Sequence, residues 1–96
     1  MEPIDRHENI TARQCVAARS LLGWPQAKLA ELAGVPLRSL RAFEEMVAQP
    51  LEKELVALRL ALEVGGIVFS AGAQGNEGVR LRRSDEPARP ANITQH

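Results

Sequence analysis

Apolar positions recur at helical spacing from residue 10 to about residue 64, and then alternate as far as residue 81. That change of period predicts a run of helices followed by a β-hairpin. Thr11, with Gln14 three residues later, makes a capping box: the hydroxyl accepts from the Gln14 N–H while the Gln14 side chain reaches back to the Thr11 amide. Helix 1 therefore starts here, with Cys15, Ala18 and Leu22 as its buried stripe and Gly23 as its stop. Two further starts share one layout, Trp24-Pro25 with Leu29 and Val35-Pro36 with Leu40. Each is a hydrophobic staple, in which the residue before the cap packs on the first full turn. A proline also pushes the residue before it to extended geometry, which suits Trp24 and Val35. Helix 2 is predicted over 26–33 and helix 3 over 37–44, joined by a reversal tight enough that Gly34 must supply a positive φ. Pro50 is expected in the first turn of helix 4, with Glu52 and Glu54 near its positive end and Gly65-Gly66 at its close. Leu51, Leu55, Leu58 and Leu62 share one face of that helix, and Val56, Leu60 and Val64 form a second apolar stripe on the other side. The hairpin spans 67–83: Ile67 and Phe69, a Gly-rich turn, then Val79 and Leu81 alternating with Arg80 and Arg82. Residues 1–9 and 84–96 are polar and aperiodic and read as disordered tails, which leaves one domain at 10–83.

The chain has 96 residues, 45% of them hydrophobic but only 3% aromatic, with one Cys and no Tyr. So short a chain has room for one core and none for a deep enclosed active site. Its aliphatic richness rules out global disorder and points to a mainly α fold. Cys15 has no partner for a disulfide, and no Cys/His spacing suits a metal, so no metal or cofactor is expected. The charged N-terminus lacks the apolar stretch of a signal peptide, and no run of about 18 apolar residues exists. A cytoplasmic protein with no membrane partner is the expectation. The inventory for catalysis is poor: His7 and His96 sit in the tails, Cys15 lies on a buried face, and no Ser has a base beside it, so an enzyme is not expected. The glycines of 72–78 lack the Lys-Ser/Thr end and the following helix of a phosphate loop.

Net charge is zero, 12 Lys+Arg against 12 Asp+Glu, yet it is unevenly spread. From Pro25 to Phe43 the charges are Lys28, Arg38 and Arg41 against Glu31, whereas 44–63 carries five Glu against Lys53 and Arg59. The segment GWPQAKLAELAGVPLRSLRAFE resembles the helix-turn-helix of phage-repressor and Cro-type regulators, the XRE family. The residues that carry the resemblance are Gln26, Leu29-Ala30, Gly34-Val35, Leu40 and Glu44, with Arg19 at the family's helix 1 arginine position, so that it covers about residues 10–64. It implies a lambda-repressor-like domain of four to five helices, here followed by the hairpin, and a sequence-specific DNA-binding transcriptional regulator. Such a protein acts as a dimer on double-stranded DNA, with helix 2 across the phosphates and helix 3 in the major groove.

Carried over by position, Gln26 becomes a phosphate contact, and Pro36, Leu37, Arg38, Arg41 and Ala42 become the groove-facing set. An exposed Leu37 suits a thymine methyl. Lys28, Arg80 and Arg82 are additional candidates for DNA; the other reading of the hairpin arginines, with Arg83, is a solvated basic edge. The resemblance also implies an ion pair between Arg19 and Glu44. Three features depart from the family: prolines 25 and 36 replace hydroxyl caps, Glu45 replaces a glycine, and the loop from Glu45 to Gln49 lacks basic residues. The second stripe of helix 4, Val56, Leu60 and Val64, with Ile67 and Phe69, is a candidate dimer interface; alternatively, the hairpin of the same chain folds back over it. A different class of function, a protein-interaction adaptor or antitoxin built on the same fold, is favoured by zero net charge and by that stripe.

Overall fold

The computed structural model describes residues 10–71 and 77–83. The expected tails and the middle of the hairpin turn, 72–76, lie outside them. The Thr11 hydroxyl accepts from the Gln14 backbone N–H at 3.1 Å and the Thr11 N–H donates to the Gln14 side-chain Oε1 at 3.0 Å, and this reciprocal cap opens α1 (Ala12–Leu22). Helix α2 (Gln26–Ala33) and helix α3 (Leu37–Glu44) both begin behind a proline that makes no side-chain cap bond. Between them Gly34 has φ 71°, and the Val35 N–H turns back onto the Ala30 carbonyl at 3.0 Å. A Cβ there would find open space, so what the position demands is the left-handed backbone that glycine adopts without strain.

Past α3 the chain reverses again, but the left-handed residue is Met46 at φ 61°. The N–H of Val47 bonds the Ala42 carbonyl at 2.8 Å across that reversal. Helix α4 (Glu52–Gly65) starts beyond Pro50, which was expected in its first turn. The Glu54 carboxylate accepts from the Leu51 N–H at 3.1 Å, which makes Leu51 the N-cap and leaves Pro50 outside the helix. Leu51 is accordingly exposed rather than on the core face.

Strands β1 (Ile67–Ala71) and β2 (Glu77–Leu81) pair antiparallel, with Ile67 opposite Leu81 and Phe69 opposite Val79. The alternation puts those four side chains on one face of the hairpin. The described fold is thus four helices with a small two-stranded sheet after them. Its core joins Cys15 and Ala18 of α1, Leu29 and Ala30 of α2, Leu40 and Phe43 of α3 and Leu55, Leu58 and Leu62 of α4. Leu22, expected in the buried stripe of α1, is only half-buried at its edge. Ile67, 1% exposed, completes the core from the sheet.

Candidate functional site

Three helices meet at one carboxylate. Arg19 of α1 grips Glu44 of α3 with two bonds, Nε to Oε2 at 2.8 Å and Nη2 to Oε1 at 2.7 Å. Its Nη1 donates to the Trp24 carbonyl at 2.8 Å. The Gln26 amide of α2 donates to Glu44 Oε1 at 2.9 Å, and the Cys15 thiol approaches Oε2 at 3.2 Å. The side chains of Arg19 and Glu44 are 17% and 4% exposed, so this is a largely buried, forked ion pair. Burial alone would push the Glu44 carboxyl up; the hydrogen bonds from Arg19, Gln26 and Cys15, with the Arg19 charge, outweigh it and hold the carboxyl below its ordinary value. Burial, and then the Glu44 carboxylate, push the Cys15 thiol far above its ordinary range. Cys15 is therefore a neutral thiol with no nucleophilic character at neutral pH.

The cluster fixes how α3 sits on the other two helices, and hence where its outer face points. Arg38 and Arg41 are exposed on that face, while Leu40 and Phe43 are buried on the opposite side. Pro36 is exposed and Ala42 is half-buried beside them. Leu37 departs from expectation: it is half-buried and packs against the core, because it stands three residues before Leu40 and turns to the same side. The residue proposed for a thymine methyl is thus partly used by the fold. Gln26 likewise has an internal partner that its place at the start of a helix did not reveal.

The additional basic candidates are also engaged. Lys28 Nζ lies 5.4 Å from the centre of the Trp24 ring, within cation–π range. Arg82 is half-buried; its Nη1 donates to the Glu63 carbonyl at 3.3 Å, near the C-terminal end of α4, where a cation is favoured. Arg80 is exposed on β2. The hairpin is tied to α1 by Gln14, 7% exposed, whose amide donates to the Gly78 carbonyl at 3.2 Å. Nothing in the local sequence announced this second use of a capping residue.

Ile67 and Phe69, expected at a dimer interface, are engaged by the fold of their own chain, Ile67 fully and Phe69 in part. The hairpin lays their face on α1 and α4, so that Ile67 is in the core and Phe69 is packed against it. The hairpin does not cover the second stripe of α4 either: Val56, Leu60 and Val64 remain exposed. Beside that stripe an uncharged groove of about 470 Å³ runs between α2 and α4. The sequence signal for it was the row of small residues Ala57, Ala61 and Gly65, spaced by four, which the larger stripe masked.

Among the described residues no three His, Cys, Asp or Glu side chains are grouped to hold a metal, and no helix is long and apolar enough to cross a membrane. No family model matches the chain, and no curated protein matches it.

Proposed function

We propose that this protein is a sequence-specific DNA-binding transcriptional regulator of the helix-turn-helix type, acting as a dimer, in which α3 enters the major groove. The observation that carries this reading is the outer face of α3: Arg38 and Arg41 stand exposed on it, and the buried Arg19–Glu44–Gln26 cluster holds the helix from behind. Eight-residue helices on either side of a three-residue reversal suit a helix laid across the phosphates and a second one in the groove. Arg38 lies in the first turn of α3, where a guanidinium reaches guanine O6 and N7 with two hydrogen bonds. Arg41 is assigned to the phosphate backbone, as is the amide hydrogen of Gln26 that Glu44 leaves unused.

Binding curves on a site selected from random DNA, and on scrambled DNA, test the assignment. Arg38→Ala should lose about 1–3 kcal/mol on the selected site and relax preference at one base pair. Arg41→Ala should weaken both DNAs alike. Unchanged affinity and unchanged base preference in Arg38→Ala would overturn the reading.

The second reading, an adaptor or antitoxin on the same scaffold, is favoured by the uncharged groove between α2 and α4. Such a protein would show almost no binding to mixed-sequence DNA at any salt concentration.

A further inference from the structure

Gln26 opens α2 behind Pro25, which makes no side-chain cap bond. Its side chain ends in a primary amide, a donor on one side and an acceptor on the other, and the two exchange places by a half-turn about the last bond. Only the donor side can serve a phosphate, whose oxygens accept. The local sequence does not choose between these orientations; Glu44 does. Its carboxylate Oε1 lies 2.9 Å from Gln26 Nε2. An ionised carboxylate only accepts, so it takes the NH2 side of the amide and repels the carbonyl side. Nor can this carboxylate turn aside. Arg19 forks its two oxygens at 2.8 and 2.7 Å, the Cys15 thiol approaches Oε2 at 3.2 Å, and the Glu44 side chain is 4% exposed. The Arg19 charge beside it also cancels the negative charge that would otherwise oppose a phosphate at this place.

We propose that Glu44 is a positioning residue for phosphate recognition: its carboxylate holds one N–H of the Gln26 amide and thereby turns the other outward, toward the backbone of bound DNA. The inference rests on the DNA-binding reading and deepens it, because it gives a residue of α3 a part in the contact that α2 makes. Glu44 itself, with its side chain buried, touches no DNA. The residue that seats the recognition helix thus also aims the donor of the helix lying across the phosphates. A residue that only joined the helices would matter equally to every contact with DNA. A positioning residue matters to this contact only while Gln26 is present.

Affinity for a selected DNA site, measured for wild type, Gln26→Ala, Glu44→Gln and the double mutant, tests the proposal at a temperature where denaturation shows each protein folded. Gln26→Ala should bind about three- to tenfold more weakly, the value of one hydrogen bond. Glu44→Gln offers Gln26 a donor as well as an acceptor, which lets the carbonyl side turn outward, and it should lose most of the same factor. In the Gln26→Ala background the same change should cost less than about twofold. Losses that multiply, or a Glu44→Gln protein that binds like wild type, would overturn the proposal.

Nuclear magnetic resonance of the wild type supplies a readout that holds even if Glu44→Gln unfolds. The carboxylate should move one Gln26 side-chain proton downfield, with the exposed Gln49 amide as reference, and the other proton should respond most when DNA is added. Gln26 protons that resonate like those of Gln49 would overturn the proposal equally. A wild type that binds no DNA sinks the regulator reading and the phosphate role with it, whereas multiplying losses in a protein that does bind its site sink the positioning role alone.

Discussion

Removing the Arg19 side chain would leave a 4% exposed carboxylate with only the neutral donors Gln26 and Cys15. An uncompensated buried charge of this kind costs about 3–5 kcal/mol. Arg19→Ala and Glu44→Ala should each lose stability on that scale in chemical denaturation. Because they break the same contact, the double mutant should lose clearly less than their sum, whereas additive losses would show that the two groups do not interact. The pair also sets an acid limit. The Glu44 carboxyl is held below its ordinary value of 4.5 in the fold, so on acidification the unfolded chain takes up the proton first. The stability it contributes is complete above that ordinary value and is lost as pH falls through the lower folded one. Glu44→Gln should remove that part of the acid dependence, which denaturation midpoints at a series of pH values will read.

At the scale of the element, two backbone positions should respond in opposite directions. Gly65 closes α4, and a Cβ built there would lie 2.6 Å from Cη2 and 2.8 Å from Cζ2 of Trp24. Alanine would improve helix propensity by about 1 kcal/mol but overpack a ring, at a cost of about 1–3 kcal/mol. Gly65→Ala should therefore lower the melting temperature. Met46 is exposed and left-handed, a conformation that costs a residue bearing a Cβ about 1–2 kcal/mol. Glycine would relieve that strain and lose about 0.5–1 kcal/mol through a freer unfolded chain, so Met46→Gly should be neutral to stabilising by up to about 1.5 kcal/mol. A melt in which both changes have the same sign would contradict the packing of Trp24 or the strain at Met46.

For the whole molecule, zero net charge forces DNA binding, as proposed here, to depend on where the cations stand rather than on their number. With Lys28 over a ring and Arg82 at the end of α4, the outer face of α3 carries the largest share. About three phosphates per subunit, six per dimer, predict a log–log salt slope near −5. Arg41→Ala should reduce that slope by about one per subunit, and Gln26→Ala should lower affinity with little change of slope. A slope near zero, measured by titrating salt against a fixed DNA site, would remove the electrostatic basis of the proposal.

The sequence by itself determined the order and type of the elements, and the limits of α2 and α3 to the residue. Their signals are local: a staple, a proline and a glycine each act on neighbours a few positions away, so the chain announces them wherever it folds. The start of α4 was misplaced because two local signals compete there, and the Glu54 carboxylate on the Leu51 N–H wins over Pro50. Only the tertiary structure decided which faces meet. Ile67 reads from its own strand as available to a partner and becomes core because the hairpin docks on α1 and α4. Gln14 reads as a cap and becomes a clamp on the Gly78 carbonyl, 64 residues away. Leu37 and Gln26 looked outward until the helices were placed, and Val56, Leu60 and Val64 looked coverable until the hairpin was seen to dock elsewhere. Periodicity gives each element an apolar side, but which sides are joined depends on packing among all elements at once, and that information does not reside in any stretch of a few residues.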